Sequence, residues 1–413
     1  MPLTVLNDDE IRALLEALTA TELEGFRGAL AAALHEYSTG GQGGGASSSV
    51  QQPERISVQN TATGATTLFM PSSSSVGNGI KVITLTSASP TTTTTTSSST
   101  TSCGTAAAEK TKIRPTGAIT LFTPHGAAHG LLHAGALTAF RTALASLCVV
   151  QRRARVGTLL VFGCGEQAYW HVRLALKARG SEVKMVCFVV NRTSTRAVGL
   201  VRRFCVETSQ GVKDAEGWAR CRFELVTTAS AIDKERDRDG EGEEEERRER
   251  EVLQARLREA DVVFCCTPST EALFEAEWLE SKAEGRLVVA IGSYTPQMRE
   301  LPGELVRQAV QGEQGVIVVD TIDGALKEAG ELIEAGVTKE QLVELGEVAM
   351  LDDATLSPAE NEKKHRMAHL VQRLRTGNVI YKSVGFGLMD LSVGMYLVDY
   401  AKERGIGTVV QGF

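Results

Sequence analysis

The sequence predicts an α/β protein built on a doubly wound parallel sheet, with a second α+β domain beside it. Short Val-rich runs alternate with helical stretches, which is typical of parallel strands buried on both faces. A glycine-rich turn follows the first of these runs, as it does in Rossmann-type sheets. The chain has 413 residues, and at roughly 100–200 residues per domain this length favours two domains. The predicted strands are Val156–Phe162, Val183–Val190, Phe223–Val226, Val262–Cys266, Leu287–Ile291 and Val316–Val319.

The rest of the chain supplies the elements of the second domain. Apolar residues recur at helical spacing over Asp8–His35, which predicts two amphipathic helices. Ile80–Thr86 and Gly117–Phe122 have strand character, and a helix is predicted from Thr138 to about Arg153. A long helix is predicted over Phe386–Arg404, and because it comes after the last strand, we expect it to fold back across the first domain. Its apolar face holds Leu388, Leu391, Met395 and Val398.

Three stretches predict disordered surface inserts. Residues near 39–52 are rich in Gly and Ser, residues 87–105 are mostly Ser and Thr, and residues 233–251 are dense in charge. None has enough apolar side chains to offset the entropy of ordering its backbone. The charged stretch holds 11 acids and 6 bases, so it accounts for −5 of a formal net charge of −7. The remaining chain is nearly neutral, and a pI of 5.7 gives no basic surface typical of nucleic-acid binding.

Cysteine usage and hydropathy indicate a reducing compartment. The eight cysteines are too few for a disulfide scaffold and include no C-x-x-C pair. Residues Met1–Glu10 lack the basic and apolar regions of a secretory signal, and the apolar runs are too short to span a bilayer. We expect a cytoplasmic protein. His125, His129 and His133 recur every four residues, but the nearby Pro124 argues against one helical face, and we expect no metal.

The segment Gly163–Ala168 reads G-x-G-x-x-A between a predicted strand and a predicted helix. In a dinucleotide site the first glycine allows the tight turn, and the second lets the backbone approach a pyrophosphate. Ala168 lets helix and strand pack closely, while Glu166 and Gln167 lie at the helix N-terminus, where phosphates bind. A chance glycine turn is the alternative, but the strand and helix around the motif favour a nicotinamide dinucleotide site.

The end of the second strand predicts which nicotinamide cofactor binds. NAD sites usually place Asp or Glu there, to accept a hydrogen bond from the ribose 2′-hydroxyl. This chain instead has Asn191, Arg192 and Thr193, with Arg196 close behind. Guanidinium and hydroxyl groups suit a 2′-phosphate, so we predict NADP(H) as the preferred cofactor and NAD(H) as a possible one. The alternative is a solvated turn with incidental arginines.

Motifs along most of the chain resemble the ornithine cyclodeaminase/mu-crystallin family. Their order and spacing agree with the family once the three inserts are discounted. The matching segments are Ile80–Val82, Leu137–Ala143, Gly163–Ala168, Thr267–Ser269, Ala290–Gly292, Ala329–Leu332, Ser383–Gly385 and Asp390–Leu391.

The resemblance implies two domains and a homodimer. Residues 1–142 with 380–413 would bind substrate and dimerise, and residues 143–379 would bind the cofactor. Arg55, Lys81 and Arg141 would then surround the carboxylate of an α-amino or α-imino acid, which suits their chemistry. Without the resemblance, Lys81 could be an edge lysine and Arg141 a helix-surface arginine. The matches also assign Thr267, Pro268 and Gly292 to the cofactor site.

One departure from the family bears on the reaction. Ornithine cyclodeaminases have a G-x-D-x-P motif after the fifth strand. This chain instead reads Gly292-Ser293-Tyr294-Thr295-Pro296, with Tyr294 in place of the aspartate. A phenol can donate a hydrogen bond or proton but cannot offer a carboxylate to a substrate ammonium.

The sequence therefore predicts an enzyme that reduces the C=N bond of small α-imino acids of the ketimine or pyrroline-2-carboxylate type with NADPH. Lys81, Arg141 and Tyr294 are its expected catalytic residues. Two alternatives remain open: ornithine cyclodeamination to proline and ammonia, and a non-enzymatic NADPH-binding protein like mu-crystallin.

Overall fold

The computed structural model describes residues 2–40, 49–86, 114–190, 194–228, 241–279, 282, 284–312, 315–350 and 362–413. Most of the Gly/Ser-rich insert and all of the predicted Ser/Thr-rich insert lie outside this part of the chain.

The N-terminal part of the chain forms a mostly antiparallel sheet, the first sheet. It also includes a short strand from the C-terminus, β15 (Thr408–Val410), and has the order β15-β1-β6-β5-β4-β3-β2, in which only β1 and β6 pair in parallel. The elements are β1 (Leu3–Leu6), α1 (Asp8–Glu16), α2 (Ala20–Thr39), β2 (Ile56–Gln59), β3 (Thr66–Ser74), β4 (Gly77–Thr86), β5 (Arg114–Phe122), β6 (Ala128–His133) and α3 (Ala134–Val150). The two predicted N-terminal helices are present, and the first begins at Asp8 as predicted. Each begins at a capping box, with Asn7 and Thr19 as the N-cap residues.

The second half of the chain forms a parallel sheet with helices between its strands. All of its strand pairs are parallel, as predicted from the Val-rich runs. Its elements are β7 (Thr158–Phe162), α4 (Glu166–Arg179), β8 (Met185–Val190), α5 (Ser194–Arg202), α6 (Gln210–Ala215), β9 (Arg222–Thr227), α7 (Glu241–Glu259), β10 (Val262–Cys265), β11 (Leu287–Ala290), α8 (Gly303–Ala309), β12 (Ile317–Val319), α9 (Ile322–Glu328), α10 (Gly330–Glu334), β13 (Leu342–Glu344), α11 (Leu345–Ala349), α12 (Glu362–Thr376), β14 (Val379–Lys382) and α13 (Gly387–Glu403). A π-helical turn spans Arg203–Glu207, and short 3₁₀ turns span Ala276–Trp278 and Lys339–Gln341.

The strand order of the parallel sheet is β13-β12-β14-β11-β10-β7-β8-β9. From β7 the chain first moves outward through β8 and β9, and then returns to the other side of β7 with β10 and β11. This reversal is the topological switch point of a doubly wound sheet, where ligands bind beyond the carboxyl ends of the strands. The predicted fold class is therefore confirmed, and the glycine-rich turn lies at the switch point.

The structure differs from the sequence expectation at β14. This strand lies in the middle of the parallel sheet, between β11 and β12, so the expected boundary between residues 379 and 380 falls inside a strand. The boundary between 142 and 143 likewise falls inside α3. Beyond β14 the chain leads directly into α13, which packs on β3, β4, β5 and β6 of the first sheet, as expected.

The expectation of disorder for residues 233–251 is wrong for residues 241–251. Residues 233–240 lie outside the described part, but helix α7 begins at Glu241 and continues to Glu259. Two features stabilise it. Leu253 and Leu257 are buried in the core, and Arg248 pairs with Glu244 at 2.6 Å one turn away. Among the described residues, no helix has the length and apolarity that crossing a membrane requires.

Candidate active site

The glycine-rich turn lies between β7 and the N-terminus of α4. Gly163 has a φ of 109°, and a Cβ there would lie 3.0 Å from the Cys266 carbonyl oxygen and 3.1 Å from Thr267 Oγ1. Only glycine fits this position without strain. Gly165 is the N-cap of α4, no side chain caps this helix end, and a Cβ on Gly165 would meet nothing within 4 Å. The free N–H groups of this helix N-terminus and the open space before them fit the pyrophosphate of a dinucleotide.

Other predicted cofactor residues surround this turn. Ala168 is fully buried, as close packing of helix and strand requires. Gln167 Oε1 and Thr267 Oγ1 are buried atoms without a hydrogen-bond partner among the described residues, so Gln167 Oε1 can accept a hydrogen bond from a bound ligand, and Thr267 Oγ1 can accept or donate one. Pro268 is exposed. Gly292 is buried, and a Cβ there would lie 2.5 Å from the Thr267 carbonyl oxygen, so the loops after β10 and β11 are in direct contact.

One of the predicted cofactor contacts, the Glu166 side chain, does not face the site. The Glu166 side chain points to neighbouring arginines and accepts hydrogen bonds from Arg12 at 2.7 Å and Arg203 at 3.0 Å. Its backbone N–H remains at the helix N-terminus. Arg196 is exposed in the first turn of α5. The predicted residues Asn191, Arg192 and Thr193 lie outside the described residues.

Lys81, Arg141 and Asp390 form a buried group that we call the cation cluster. Lys81 Nζ lies 2.8 Å from one oxygen of Asp390, and Arg141 Nε lies 3.2 Å from the other. The three residues are at most 4% exposed. Two cations therefore share one carboxylate, which leaves the cluster with one excess positive charge.

Three different elements assemble the cation cluster. Lys81 is on β4, where its neighbours across the strand ladder are Met70 of β3 and Ile119 of β5. Its side chain lies on the face of the first sheet that α13 covers. Arg141 comes from α3 and also donates to Met389 Sδ at 3.3 Å. Asp390 lies in the first turn of α13. Burial lowers the pKa of Lys81 to about 8, against the neighbouring Asp390, which raises it, while Arg141 and Arg55 lower it further.

Arg55 connects the cation cluster with the parallel sheet. It lies in the loop before β2, donates to the Tyr294 carbonyl oxygen at 3.2 Å, and forms an ion pair with Glu328 at the end of α9. Tyr294 is half-buried in the loop after β11, two residues beyond Gly292. Arg55 thus brings the first sheet into contact with the loop edge that also carries the glycine-rich turn.

Two acidic residues have roles in the structure that the sequence reasoning missed. The sequence placed Asp390 only within the family-matching segment Asp390–Leu391, yet it is the shared partner of both cations. Asp320 follows β12 and accepts hydrogen bonds from Ser383 Oγ at 2.6 Å and from the Gly385 N–H at 2.7 Å. It therefore holds the loop that passes beside Arg141, since a Cβ on Gly385 would lie 3.0 Å from the guanidinium.

The histidines considered as metal ligands have other contacts. His129 Nε2 lies 3.1 Å from Asp399. His133, the N-cap residue of α3, has its Nδ1 2.9 Å from Asp8. In the part of the chain that the structure describes, no group of three or more His, Cys, Asp or Glu side chains is arranged to hold a metal ion.

No protein-family model matches the chain, but individual proteins do. An uncharacterised protein of Saccharomyces cerevisiae is 26% identical over 302 residues, which cover 67% of this chain and 72% of that protein. A Δ1-pyrroline-2-carboxylate reductase of Bacillus cereus is 30% identical over 160 residues, 38% of this chain and 42% of that one. The ketimine reductase mu-crystallin of Mus musculus is 31% identical over 147 residues, 36% and 38% of the two chains. The match thus spans about two fifths of the length of these two named reductases.

Solved structures with low sequence identity share the fold over nearly the full chain. The Δ1-pyrroline-2-carboxylate reductase of Thermococcus litoralis, in complex with NADH and L-proline, has a TM-score of 0.64 at 19% identity and covers 98% of this chain and 99% of its own. A probable ornithine cyclodeaminase of Bordetella pertussis has a TM-score of 0.63 at 21% identity and covers 98% of both chains.

The names of the curated relatives support the predicted class of enzyme, and the glycine-rich turn fits the nicotinamide dinucleotide that such an enzyme uses. Together with the motifs in the sequence, these matches support the predicted resemblance to the ornithine cyclodeaminase/mu-crystallin family, and the solved structures show that the chain shares its fold.

Proposed function

We propose that this protein reduces the C=N bond of small α-imino acids, of the ketimine or pyrroline-2-carboxylate type, with NADPH. The observation that carries the proposal is the excess positive charge of the buried cation cluster. An uncompensated charge is costly inside a protein, and the carboxylate of an α-imino acid would neutralise it. Lys81 and Arg141 would bind this carboxylate, Arg141 through its planar fork and Lys81 as a point charge.

Arg55 would bind the same substrate more weakly. Its side chain is 24% exposed and already has a carboxylate partner, Glu328, so an incoming acid competes with that partner. Arg55 also holds the loop of Tyr294 through the backbone. We therefore assign Arg55 chiefly to closing the substrate site and secondarily to holding the carboxylate.

Reduction of a C=N bond needs a hydride at carbon and a proton at nitrogen. A bound reduced nicotinamide supplies the hydride. In our proposal the Lys81 ammonium donates the proton to the imine nitrogen, since a pKa lowered to about 8 suits a general acid near neutral pH. Asp390 keeps Lys81 protonated at that pH by raising its pKa. Tyr294 would donate a hydrogen bond to the substrate from the opposite loop.

The preference for NADPH rests on the end of β8. Residues 191–196 contain no carboxylate that would repel a 2′-phosphate, and Arg196 is exposed in the first turn of α5. We expect a higher kcat/KM with NADPH than with NADH. Arg196→Ala should raise the KM for NADPH about tenfold, the value of a lost charge-assisted hydrogen bond, and leave the KM for NADH unchanged. Equal effects on both cofactors would contradict this assignment.

We further propose a homodimer formed through the outer face of the first sheet. Ile56 and Val58 on β2 are 59% and 51% exposed, and they share this face with Phe69 and Val82, which alternate with the inward-facing Lys81. An exposed apolar sheet face of this kind favours association with a second copy. Light scattering should give twice the chain mass, and Ile56→Asp with Val58→Asp should halve it.

A cytoplasmic location is proposed on the cysteine usage alone, since eight cysteines without a disulfide scaffold suit a reducing compartment.

A substrate screen tests the proposed reaction. Oxidation of NADPH is followed by absorbance with pyrroline-2-carboxylate and piperideine-2-carboxylate, and ammonia release is followed with ornithine and NAD⁺. The proposal expects NADPH oxidation with the imino acids and no ammonia from ornithine. Ammonia release without net cofactor change would establish cyclodeamination instead. Binding of NADPH with no turnover of any imino acid would refute the proposed function and favour a non-enzymatic role.

A further inference from the structure

A second buried group of charges lies at the carboxyl edge of the parallel sheet. Glu300, Glu331 and Lys382, which we call the acid cluster, are each fully buried. Lys382 is the last residue of β14, and its Nζ lies 3.0 Å from Glu331 and donates to the Ser293 carbonyl oxygen at 2.6 Å. Ser293 Oγ donates to Glu331 at 2.7 Å. All three residues of the cluster thus form hydrogen bonds with the loop after β11.

Glu300 joins two loops of the cofactor site. One of its oxygens accepts from the Thr267 N–H at 2.9 Å, in the loop after β10. The other accepts from the Gly292 N–H at 2.6 Å and the Ser293 N–H at 3.1 Å, in the loop after β11. A Cβ on Gly292 would lie 2.4 Å from the Glu300 carboxylate, so glycine is required for this close approach. One carboxylate therefore sets the spacing between the two loops.

The same loops border the glycine-rich turn. The Cys266 carbonyl oxygen and Thr267 Oγ1 lie next to Gly163, and Tyr294 follows Ser293 directly and contacts Arg55. A shift of Thr267 or Gly292 would change the space before the glycine-rich turn and the position of Tyr294 together. Glu300 touches neither of the predicted ligands, so its influence on them passes through the backbone.

We infer that Glu300 is a positioning residue, which fixes the Thr267 and Gly292 loops in the arrangement that binds the nicotinamide half of the cofactor. The inference rests on the proposed function, since that function places a dinucleotide along these loops. Both carboxylate oxygens must accept hydrogen bonds, one from each loop. A glutamine has the same size, but its amide nitrogen would face an N–H donor of one loop.

The charge of the acid cluster agrees with this role. Lys382 forms its ion pair with Glu331, so the Glu300 carboxyl depends on backbone N–H groups for stabilisation. Burial raises the pKa of Glu300 to about 8, against Lys382, which lowers it, while Glu331 raises it further and the N–H groups of Thr267 and Gly292 lower it. The role itself rests on the geometry, since N–H groups of two loops point at the two oxygens of Glu300.

Three variants of the full chain test the inference: Glu300→Gln, Glu300→Asp and the control Glu304→Gln. Glu304 is a surface residue of α8 that forms an ion pair with Arg307 on the same helix. The measurements are the NADPH dissociation constant from nucleotide fluorescence, kcat and KM for an imino acid, and the melting temperature without cofactor. The dissociation constant does not depend on turnover, so it tests Glu300 even if the proposed reaction fails.

We expect Glu300→Gln to weaken NADPH binding and to lower kcat, each about tenfold, as expected for a lost hydrogen bond to a charged group, with little change in the KM for the imino acid. Glu300→Asp keeps both oxygens on a shorter side chain and should recover part of the loss, whereas Glu304→Gln should match the wild type. Unchanged NADPH binding and kcat in a folded Glu300→Gln protein would overturn the inference. If that variant does not fold, wild-type values in Glu300→Asp would overturn it equally.

Discussion

The cation cluster and the acid cluster are both buried and ion-paired, but they have opposite imbalances of acidic and basic side chains. Lys81 and Arg141 share the single carboxylate of Asp390. In the acid cluster Lys382 forms its ion pair with Glu331, and Glu300 is held by three backbone N–H groups. The imbalance of the acid cluster is met within the protein by the loops that it holds. The imbalance of the cation cluster matches an external carboxylate.

This difference separates a ligand site from a scaffold by charge alone. Both clusters contain conventional ion pairs at about 3 Å, so distance and burial do not distinguish them. The clusters are distinguished by the number of acidic and basic side chains in each and by the backbone N–H groups that face them. The following predictions test the comparison, from the largest expected effect to the smallest.

Arg141→Met should have the largest effect, because it removes the cation with the planar fork and leaves Asp390 with only Lys81. We expect kcat/KM for an imino acid to fall about a thousandfold, since truncation of one partner of a buried charge pair costs roughly 3–5 kcal/mol. The NADPH dissociation constant should not change. Arg307→Met, which removes an exposed arginine from α8, is the matched control. A loss of less than tenfold in Arg141→Met would show that the cluster is structural.

The pH dependence of kcat/KM for the wild type should show a fall in activity as Lys81 loses its proton. In the proposed mechanism the ammonium is the proton donor, and its pKa is lowered to about 8, so we expect activity to be constant below that pH and to fall as the pH rises through it. We expect kcat/KM to decrease tenfold per pH unit above about 8, or about a hundredfold by pH 10. Steady-state rates from pH 6 to 10 at saturating NADPH measure this. A flat profile up to pH 10 would exclude Lys81 as the donor.

Asp390→Asn should move this descending limb to lower pH. Asp390 is the group that raises the pKa of Lys81 against burial, so its removal lowers that pKa by about one unit or more. Activity at pH 8 should fall about fivefold or more relative to the wild type. Asp399→Asn, on the exposed side of the same helix, should leave the limb in place. A limb that stays near pH 8 in Asp390→Asn would mean that another group titrates.

Arg55→Ala should have the smallest effect of the series. Arg55 is partly exposed and paired with Glu328, and an ion pair of this kind contributes about 0.2–1 kcal/mol. We expect the KM for the imino acid to rise about threefold with an unchanged kcat. Lys327→Ala is the control, because it removes a neighbouring ion pair with Glu54 in the same loop. A hundredfold rise in Arg55→Ala would place Arg55 beside Lys81 and Arg141 as a principal substrate ligand.

The parallel sheet was predictable where its strands are continuous apolar runs. All six predicted runs are strands, because burial on both faces selects Val, Ile and Leu at every position. Strand β14 was not predicted because its second half is Tyr381 and Lys382, residue types that are usual at solvent-exposed positions. Lys382 is fully buried only because Glu331 and the Ser293 carbonyl oxygen meet it there. Strand β13 has three residues, too few to show a periodicity.

The candidate site was predictable only in part. The local motif identified the glycine-rich turn, and the family resemblance identified Lys81 and Arg141. Asp390 is 309 positions from Lys81 and 249 from Arg141, so no local pattern connects them. Helix α7 was missed for a related reason. Its charges dominate the composition, while the burial of Leu253 and Leu257 depends on a core formed by other segments.

The pairing of β4 with β5 has a practical consequence for protein engineering. Their ladder ends at the pair Thr86 and Arg114, so the two strand ends on either side of residues 87–113 lie at adjacent positions of the sheet. A two-residue Asn-Gly connection is sufficient to join neighbouring antiparallel strands. A shortened gene that encodes this connection should yield a protein with the same catalytic constants, and such a protein would be the better starting material for crystallisation and for grafting reporter peptides at this hairpin.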